Sequence, residues 1–215
     1  MSRGLFITFE GPDGAGKSTQ IKMLSRFLCE RGEAPILTRE PGGTALGEKI
    51  REILLSPQSG SMTDITEMLL YAAARAQIVE EVIRPQVEAG HIVICDRFVD
   101  SSIAYQGYGR GLGRVVSEVN AHAVRDCLPD LTILLDIPPA RCFLRKEGEK
   151  GDRIEAEALA WHSKVYEGYL TLAGKNRSRI RRVDADRGVH QVQDEIRDIV
   201  TACIDARRVK EGTQV

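Results

Sequence analysis

The sequence predicts an α/β fold, a five-stranded parallel sheet with helices on both faces, three layers in all. Three observations carry that prediction. Continuous or period-two apolar runs alternate with helical patterns, which is the signature of βαβ units. Three segments rich in glycine and charge, at 11–18, 39–44 and from 96 onward, fall just after strands, at the edge where such sheets bind ligands. The chain has 215 residues, 42% hydrophobic and 28% charged, an ordinary globular composition with ample length for a core.

Taken in order, Leu5 to Phe9 is a short β-rich run that stops at a glycine loop. Ile21, Leu24, Phe27 and Leu28 then recur at helical spacing until Gly32. Ala34 to Thr38 reads as the second strand. Thr63 or Asp64 caps a long helix whose apolar stripe includes Ile65, Met68, Leu69, Ala72, Val79 and Ile83, and Gly90 closes it. Pro85 should kink that helix or break it. His91 to Cys95, Leu131 to Leu135 and Arg179 to Val183 supply the third, fourth and fifth strands. A last helix runs from about Val189 to Cys203, and the polar tail from Asp205 to Val215 is expected to fray. With no repeat, linker or low-complexity tract, residues 1–215 read as one domain.

Charge and cysteine content narrow the function. Lys and Arg number 30 against 31 for Asp and Glu, which excludes a bulk basic field for nucleic acid. No apolar run approaches the ~20 residues that span a bilayer, and the N-terminus reads as a strand rather than a signal peptide. The five cysteines are odd in number and form no CxxC pair, so neither a zinc site nor a disulfide framework is indicated. Reduced thiols in a cytoplasmic protein are the expectation.

The first chemical segment is specific. Gly11-Pro12-Asp13-Gly14-Ala15-Gly16-Lys17-Ser18 fits G-x-x-x-x-G-K-[ST] between a strand and a helix. Glycines let backbone N–H groups curl around an oxyanion, and the helix starting near Lys17 adds its positive dipole end. Lys17 supplies a cation for the β/γ-phosphates and the Ser18 hydroxyl a ligand for Mg²⁺. The architecture is thereby a three-layer P-loop NTPase fold that binds a nucleoside triphosphate. No Asn-Lys-x-Asp base-reading segment of a GTPase is present, and so short a chain suits a small-molecule kinase. Asp96-Arg97 directly follows the third strand. Its carboxylate can reach the Mg²⁺ shell or its waters, and its guanidinium can pair with a phosphate, although the two also fit a strand-end salt bridge.

The residues that follow are more telling. Asp96-Arg97-Phe98-Val99-Asp100-Ser101-Ser102-Ile103-Ala104-Tyr105-Gln106-Gly107 resembles the D-R-[FYH]-x-x-S-x-x-A-Y-Q-G signature of thymidylate kinases. Arg39-Glu40-Pro41-Gly42-Gly43-Thr44, the stretch from Leu69 to Gln77, Asp136-Ile137-Pro138-Pro139 and Asp152-Arg153-Ile154-Glu155 match further family segments, in family order, over nearly the whole chain. The resemblance implies ATP- and Mg²⁺-dependent phosphorylation of dTMP to dTDP in dTTP biosynthesis, by a homodimer built through helix packing. It also implies a short lid at about 141–155.

Residue by residue, the resemblance places Tyr71 against the thymine ring, where the family usually has Phe, with Arg75 one helical turn on as a hydrogen-bond donor to the base. Ser102 and Gln106 approach the base, although capping or turn bonding would equally account for them. Tyr105 packs against C2′ of the sugar. Asp13 approaches the 3′-hydroxyl and the metal shell, Arg97 holds the acceptor phosphate, Arg39 belongs to the acceptor site, and Glu155 orders the lid or touches the sugar. One departure matters. The phosphate loop has no arginine, and the lid from Arg141 to Arg153 lacks the R-x-R repeat of bacterial members. The catalytic charge then falls to Arg145, Arg153 or Lys146, with Arg145 at the ATP side. Another nucleoside monophosphate or deoxynucleoside kinase, and a catalytically silent nucleotide-binding protein, remain as alternatives.

Overall fold

The computed structural model describes residues 3–145 and 151–212. Its sheet holds five parallel strands, β1 (Leu5–Glu10), β2 (Ile36–Arg39), β3 (Ile92–Asp96), β4 (Leu131–Asp136) and β5 (Ile180–Asp184), in the order β2-β3-β1-β4-β5. The central strand β1 is buried on both faces. Leu5, Ile7 and Phe9 pack on one side with Leu24 and Leu28 of α1 (Lys17–Glu30) and Val192, Ile196 and Val200 of α9 (Val189–Gly212). Phe6 faces the other side, edge to face with Phe98 at 5.0 Å, among Ile78, Val79, Ile83 and Val87. Burying such side chains on both faces is what fixes the layer order.

The remaining helices are α2 (Ala45–Leu55), α3 (Asp64–Ile78), α4 (Arg84–Glu88), α5 (Val99–Ser102), α6 (Arg114–Val124), α7 (Pro139–Arg145) and α8 (Leu159–Lys175). Thr44 caps α2 by accepting the Gly47 N–H at 2.9 Å, and Thr63 caps α3 by accepting the Thr66 N–H.

Several sequence expectations need correction. The second strand starts at Ile36 rather than Ala34, because Pro35 has no N–H to give to the ladder. The break at Pro85 is a π-helical segment, Val79–Ile83, in which the Arg84 N–H reaches back to the Val79 carbonyl. The wider turn relieves the clash a proline ring would make with the preceding turn. Ile65 and Leu69, expected in the core stripe, are about half exposed, at 47% and 50%. The last helix does not end near Cys203. It continues to Gly212, with Ile204 still buried and Arg207 3.7 Å from Asp130. All five cysteines are free thiols. Among the described residues no helix is long and apolar enough to cross a membrane.

Candidate active site

The strand order puts the C-terminal ends of β1, β3 and β2 side by side, and the charged segments follow from them. After β1 the chain turns through Gly11, Gly14 and Gly16, all at positive φ. A Cβ on Gly11 would sit 2.6 Å from the Leu135 carbonyl oxygen, so that position demands glycine. Gly16 caps α1 with no side chain over it, which leaves the first-turn N–H groups open toward the cleft. Lys17 is buried and bends back, donating from Nζ to the Gly11 and Pro12 carbonyls at 3.2 and 3.0 Å. Burial, then the nearby Arg97 charge, lower its pKa. Ser18 Oγ donates to Asp96 Oδ2 at 3.0 Å, so a hydroxyl and a carboxylate converge beside the loop.

Arg97 is the hinge of the site. It is a non-glycine residue at φ 69°, a conformation that costs energy and persists only where surroundings enforce it. The enforcing group is Glu10, buried at the end of β1. It accepts the Phe98 N–H at 2.8 Å, the Ser101 hydroxyl at 2.5 Å and the Tyr169 hydroxyl at 3.1 Å. Burial, and then Asp100, raise the Glu10 carboxyl to about 7. Ser101 and Tyr169 in turn accept from Arg97 at 3.2 and 3.1 Å. The other end of the guanidinium binds Asp13 Oδ1 at 2.5 Å, and Tyr105 donates to Asp13 Oδ2 at 2.7 Å. Burial pushes the Asp13 carboxyl up, but Arg97 and Lys17 outweigh it and hold it well below the usual range.

Two hollows meet at this point. One is lined by Tyr71, Arg75, Ser102, Tyr105 and Gln106. The other is lined by Gly14, Gly16, Lys17, Ser18, Arg39, Asp96 and Arg145. Asp13, Glu40, Arg51, Arg97 and Glu155 line both.

The structure does not gather every residue the sequence singled out. The five N–H donors of Arg75 are committed inside the protein. Nε and Nη2 bind Glu40 at 2.8 and 2.5 Å, Nη2 also binds the Phe98 carbonyl, and Nη1 binds Ser102 Oγ at 2.8 Å and Asn120 Oδ1. Arg75 therefore borders the cavity without a free donor to offer a base. Arg39 lines the loop cleft but not the cavity beside Tyr71, and its Nη2 donates to both Glu48 oxygens, at 3.0 and 2.9 Å. Arg153 lines neither hollow, because it donates to the Leu54 carbonyl and to Glu67 Oε2 at 2.9 and 2.7 Å. Arg145 reaches the loop cleft while donating to the Ala185 carbonyl at 2.8 Å. Lys146 lies outside the described residues.

Sequence reasoning missed Glu10, Arg51, Glu67, Asn120 and Tyr169. A carboxylate ending an otherwise apolar strand marks Glu10, and the one-turn spacing from Tyr71 marks Glu67. The other three sit on helices distant in sequence and carry no local signal.

Comparisons with known proteins agree with this geometry. A thymidylate kinase from an Exiguobacterium strain is 51% identical over 198 residues, 91% of this chain and 93% of that protein. The thymidylate kinase of Symbiobacterium thermophilum is 46% identical over 211 residues, 98% of this chain and 99% of that protein. The crystal structure of thymidylate kinase from Ehrlichia chaffeensis superposes with a TM-score of 0.75 at 32% identity, covering 93% of this chain and 99% of that one. With the thymidylate kinase family model matching residues 9–196 as well, this chain belongs to the thymidylate kinase family.

Proposed function

We propose that the chain transfers the γ-phosphoryl group of ATP to the phosphate of dTMP, giving dTDP and ADP. The observation that supports this reading above all is the shared wall of the two hollows. Asp13, Glu40, Arg51, Arg97 and Glu155 face both the phosphate loop and the cavity that Tyr71 lines, so donor and acceptor phosphates would meet there.

The open N–H groups of the loop and the Lys17 ammonium bind the donor phosphates. Arg97 and Arg51 hold the acceptor phosphate, and Asp13 orients Arg97 and the Tyr105 hydroxyl. An acceptor oxygen attacks the γ-phosphorus as the bond to the β-phosphate oxygen breaks. The acceptor is already anionic, so no strong base is needed, and positioning and charge neutralisation carry the rate. Tyr71 stacks on the base, with Ser102 and Gln106 at its edge, and Tyr105 packs at the sugar. Arg75 acts through Ser102 and Glu40 rather than by direct contact. Arg145 brings lid charge to the donor side, and the 141–155 lid excludes water.

The hydroxyl of Ser18 and the carboxylate of Asp96, hard oxygen donors 3.0 Å apart beside the loop, fit Mg²⁺ with phosphate oxygens and waters completing its shell. Held by these two side chains, Mg²⁺ would supply positive charge against the donor phosphates. The working form is a cytoplasmic homodimer. Exposed apolar side chains on α2 (Leu46, Ile53) and α3 (Ile65, Leu69) support that assembly.

The test is ADP production from ATP and Mg²⁺ with dTMP, dUMP, dCMP, AMP or thymidine as acceptor. Turnover should depend on dTMP above the others. ATP binding without dTDP formation would contradict the reading.

A further inference from the structure

Two buried charges outside the phosphate machinery act on the cavity that Tyr71 lines: Arg75 lines it, and Glu67 lies behind Gln106, which does. Glu67, on α3 one turn before Tyr71, is 1% exposed. Its Oε1 accepts from Gln106 Nε2 at 2.9 Å and from Arg110 Nε at 3.3 Å. Its Oε2 accepts from Arg110 Nη2 at 3.1 Å and from Arg153 Nη2 at 2.7 Å. Those four donors lower its pKa despite burial, so it is a carboxylate and can only accept. Gln106 must therefore turn its NH₂ toward Glu67. Its Oε1 is left buried, with no partner among the described residues, on a side chain that lines the cavity.

Arg75 imposes the opposite constraint on Ser102, which lines the same cavity. It can only donate, and Ser102 Oγ accepts from it at 2.8 Å. The hydroxyl proton of Ser102 is thereby freed as a donor. The cavity edge then presents a donor, Ser102 O–H, and an acceptor, Gln106 Oε1. A thymine ring offers the complement, a carbonyl acceptor beside the N3–H donor. A cytosine ring offers the inverse, an NH₂ donor beside an N3 acceptor.

We propose that Glu67 is a positioning residue for base selection, fixing the Gln106 amide so that its oxygen receives the N3–H of the acceptor base. Arg75 fixes the Ser102 end of the same array. Because Glu67 also binds Arg153 of the D-R-x-E segment, whose backbone N–H donates to the Leu55 carbonyl, the base register and the seating of the lid share one anchor. A site that leaves buried polar groups unpaired against the wrong substrate rejects it strongly, and that is the source of the selectivity here. The inference rests on the kinase reading above and adds what sets its base preference.

The test compares kcat/KM for dTMP and dCMP in the wild type and in Glu67→Gln. A glutamine there can place its own NH₂ toward Gln106, and Gln106 then flips to present NH₂ to the cavity. The expected result is a dTMP KM raised ~10-fold or more, a smaller change in kcat, and a dTMP-to-dCMP ratio that narrows by on the order of 10²-fold. Glu67→Asp, which keeps the acceptor-only character, should retain most of the ratio. A folded Glu67→Gln enzyme with an unchanged ratio overturns the proposal. Where Glu67→Gln fails to fold, Gln106→Leu replaces it as the probe. It removes the N3–H acceptor, so the ratio should collapse through poorer dTMP binding, and a retained ratio again overturns the proposal. A wild type that makes no dTDP overturns the kinase reading itself, which separates the two failures.

Discussion

Arg145 and Arg153 read alike in the sequence, as two arginines flanking a charged lid, and differ in space. Arg145 borders the phosphate-loop cleft and is held there through the Ala185 carbonyl, with Asp186 3.7 Å away. Arg153 is turned inward to Glu67 and Leu54. Arg145→Ala should therefore lower kcat by about 10²-fold, the usual loss when one transition-state donor is removed. Arg153→Ala should act mainly on the KM for dTMP by loosening the lid anchor. Steady-state kinetics of the two variants check this, and equal kcat losses would contradict it. Glu10 makes a separate prediction. Its carboxyl titrates at about 7 in the fold against 4.5 in the unfolded chain. A raised pKa contributes stability that is full below 4.5 and lost as pH rises through about 7. Unfolding free energies of wild type and Glu10→Gln should thus diverge most below pH 4.5, in favour of the wild type. The gap should shrink by up to about 3 kcal/mol on reaching pH 8. A gap independent of pH would count against the assignment.

The strands and the phosphate loop were legible because their signals are local: apolar runs, glycines at fixed offsets, a cap three residues from its partner. The element that carries Tyr105 and Gln106 was not. Ile103–Gly109 is a π-helical segment continuing from α5, and a five-residue hydrogen-bond register leaves no mark in composition. Its motif could be recognised without its conformation being visible. The α8 helix was missed for a related reason. Glycine interrupts its stripe at Gly168, and that glycine exists for a contact with a distant element. A Cβ at Gly168 would lie 2.9 Å from the Tyr108 ring, and one at Gly109 would lie 2.9 Å from Trp161 and Val165. The π-helical segment and α8 thus approach backbone to ring, and the aromatic contacts of Tyr105 with Trp161 and Tyr169, at 5.6 and 6.2 Å, follow from that closeness. Gly168→Ala should push the segment away, destabilising the fold by about 1–3 kcal/mol. It should also raise the dTMP KM, because Tyr105 and Gln106 ride on the displaced segment. Thermal melts and kinetics on the same preparation measure both. A variant that melts lower with an unaltered KM would show that the packing and the site are not coupled in this way.

At the scale of the molecule, the near-zero net charge is mirrored inside the cleft. Lys17, Arg39, Arg51, Arg97 and Arg145 line the loop cleft, and Asp13, Glu40, Asp96 and Glu155 line it with them, so the cationic edge is partly neutralised where the donor would bind. At the same scale, Ile65 and Leu69 show what periodicity alone does not decide. A stripe that faces another copy of the chain has the same 3.6-residue period as one that faces the core, and only the folded neighbours tell them apart. Here α3 packs against α2 and α6, yet Ile65 and Leu69 stay exposed, as do Leu46 and Ile53 on α2 and Val115 on α6. Large apolar side chains left exposed on three helices that pack together are what an unpartnered subunit of a helix-packed dimer would present. Sedimentation velocity of the wild type should therefore show a dimer at micromolar concentration. Leu69→Lys would place a charge in the contact at each side of the two-fold axis, and because Leu69 is exposed in the isolated chain it should not disturb the fold. The variant should sediment as a monomer with an unchanged circular dichroism spectrum. A monomeric wild type, or a Leu69→Lys protein that remains dimeric, would place the interface elsewhere or remove it.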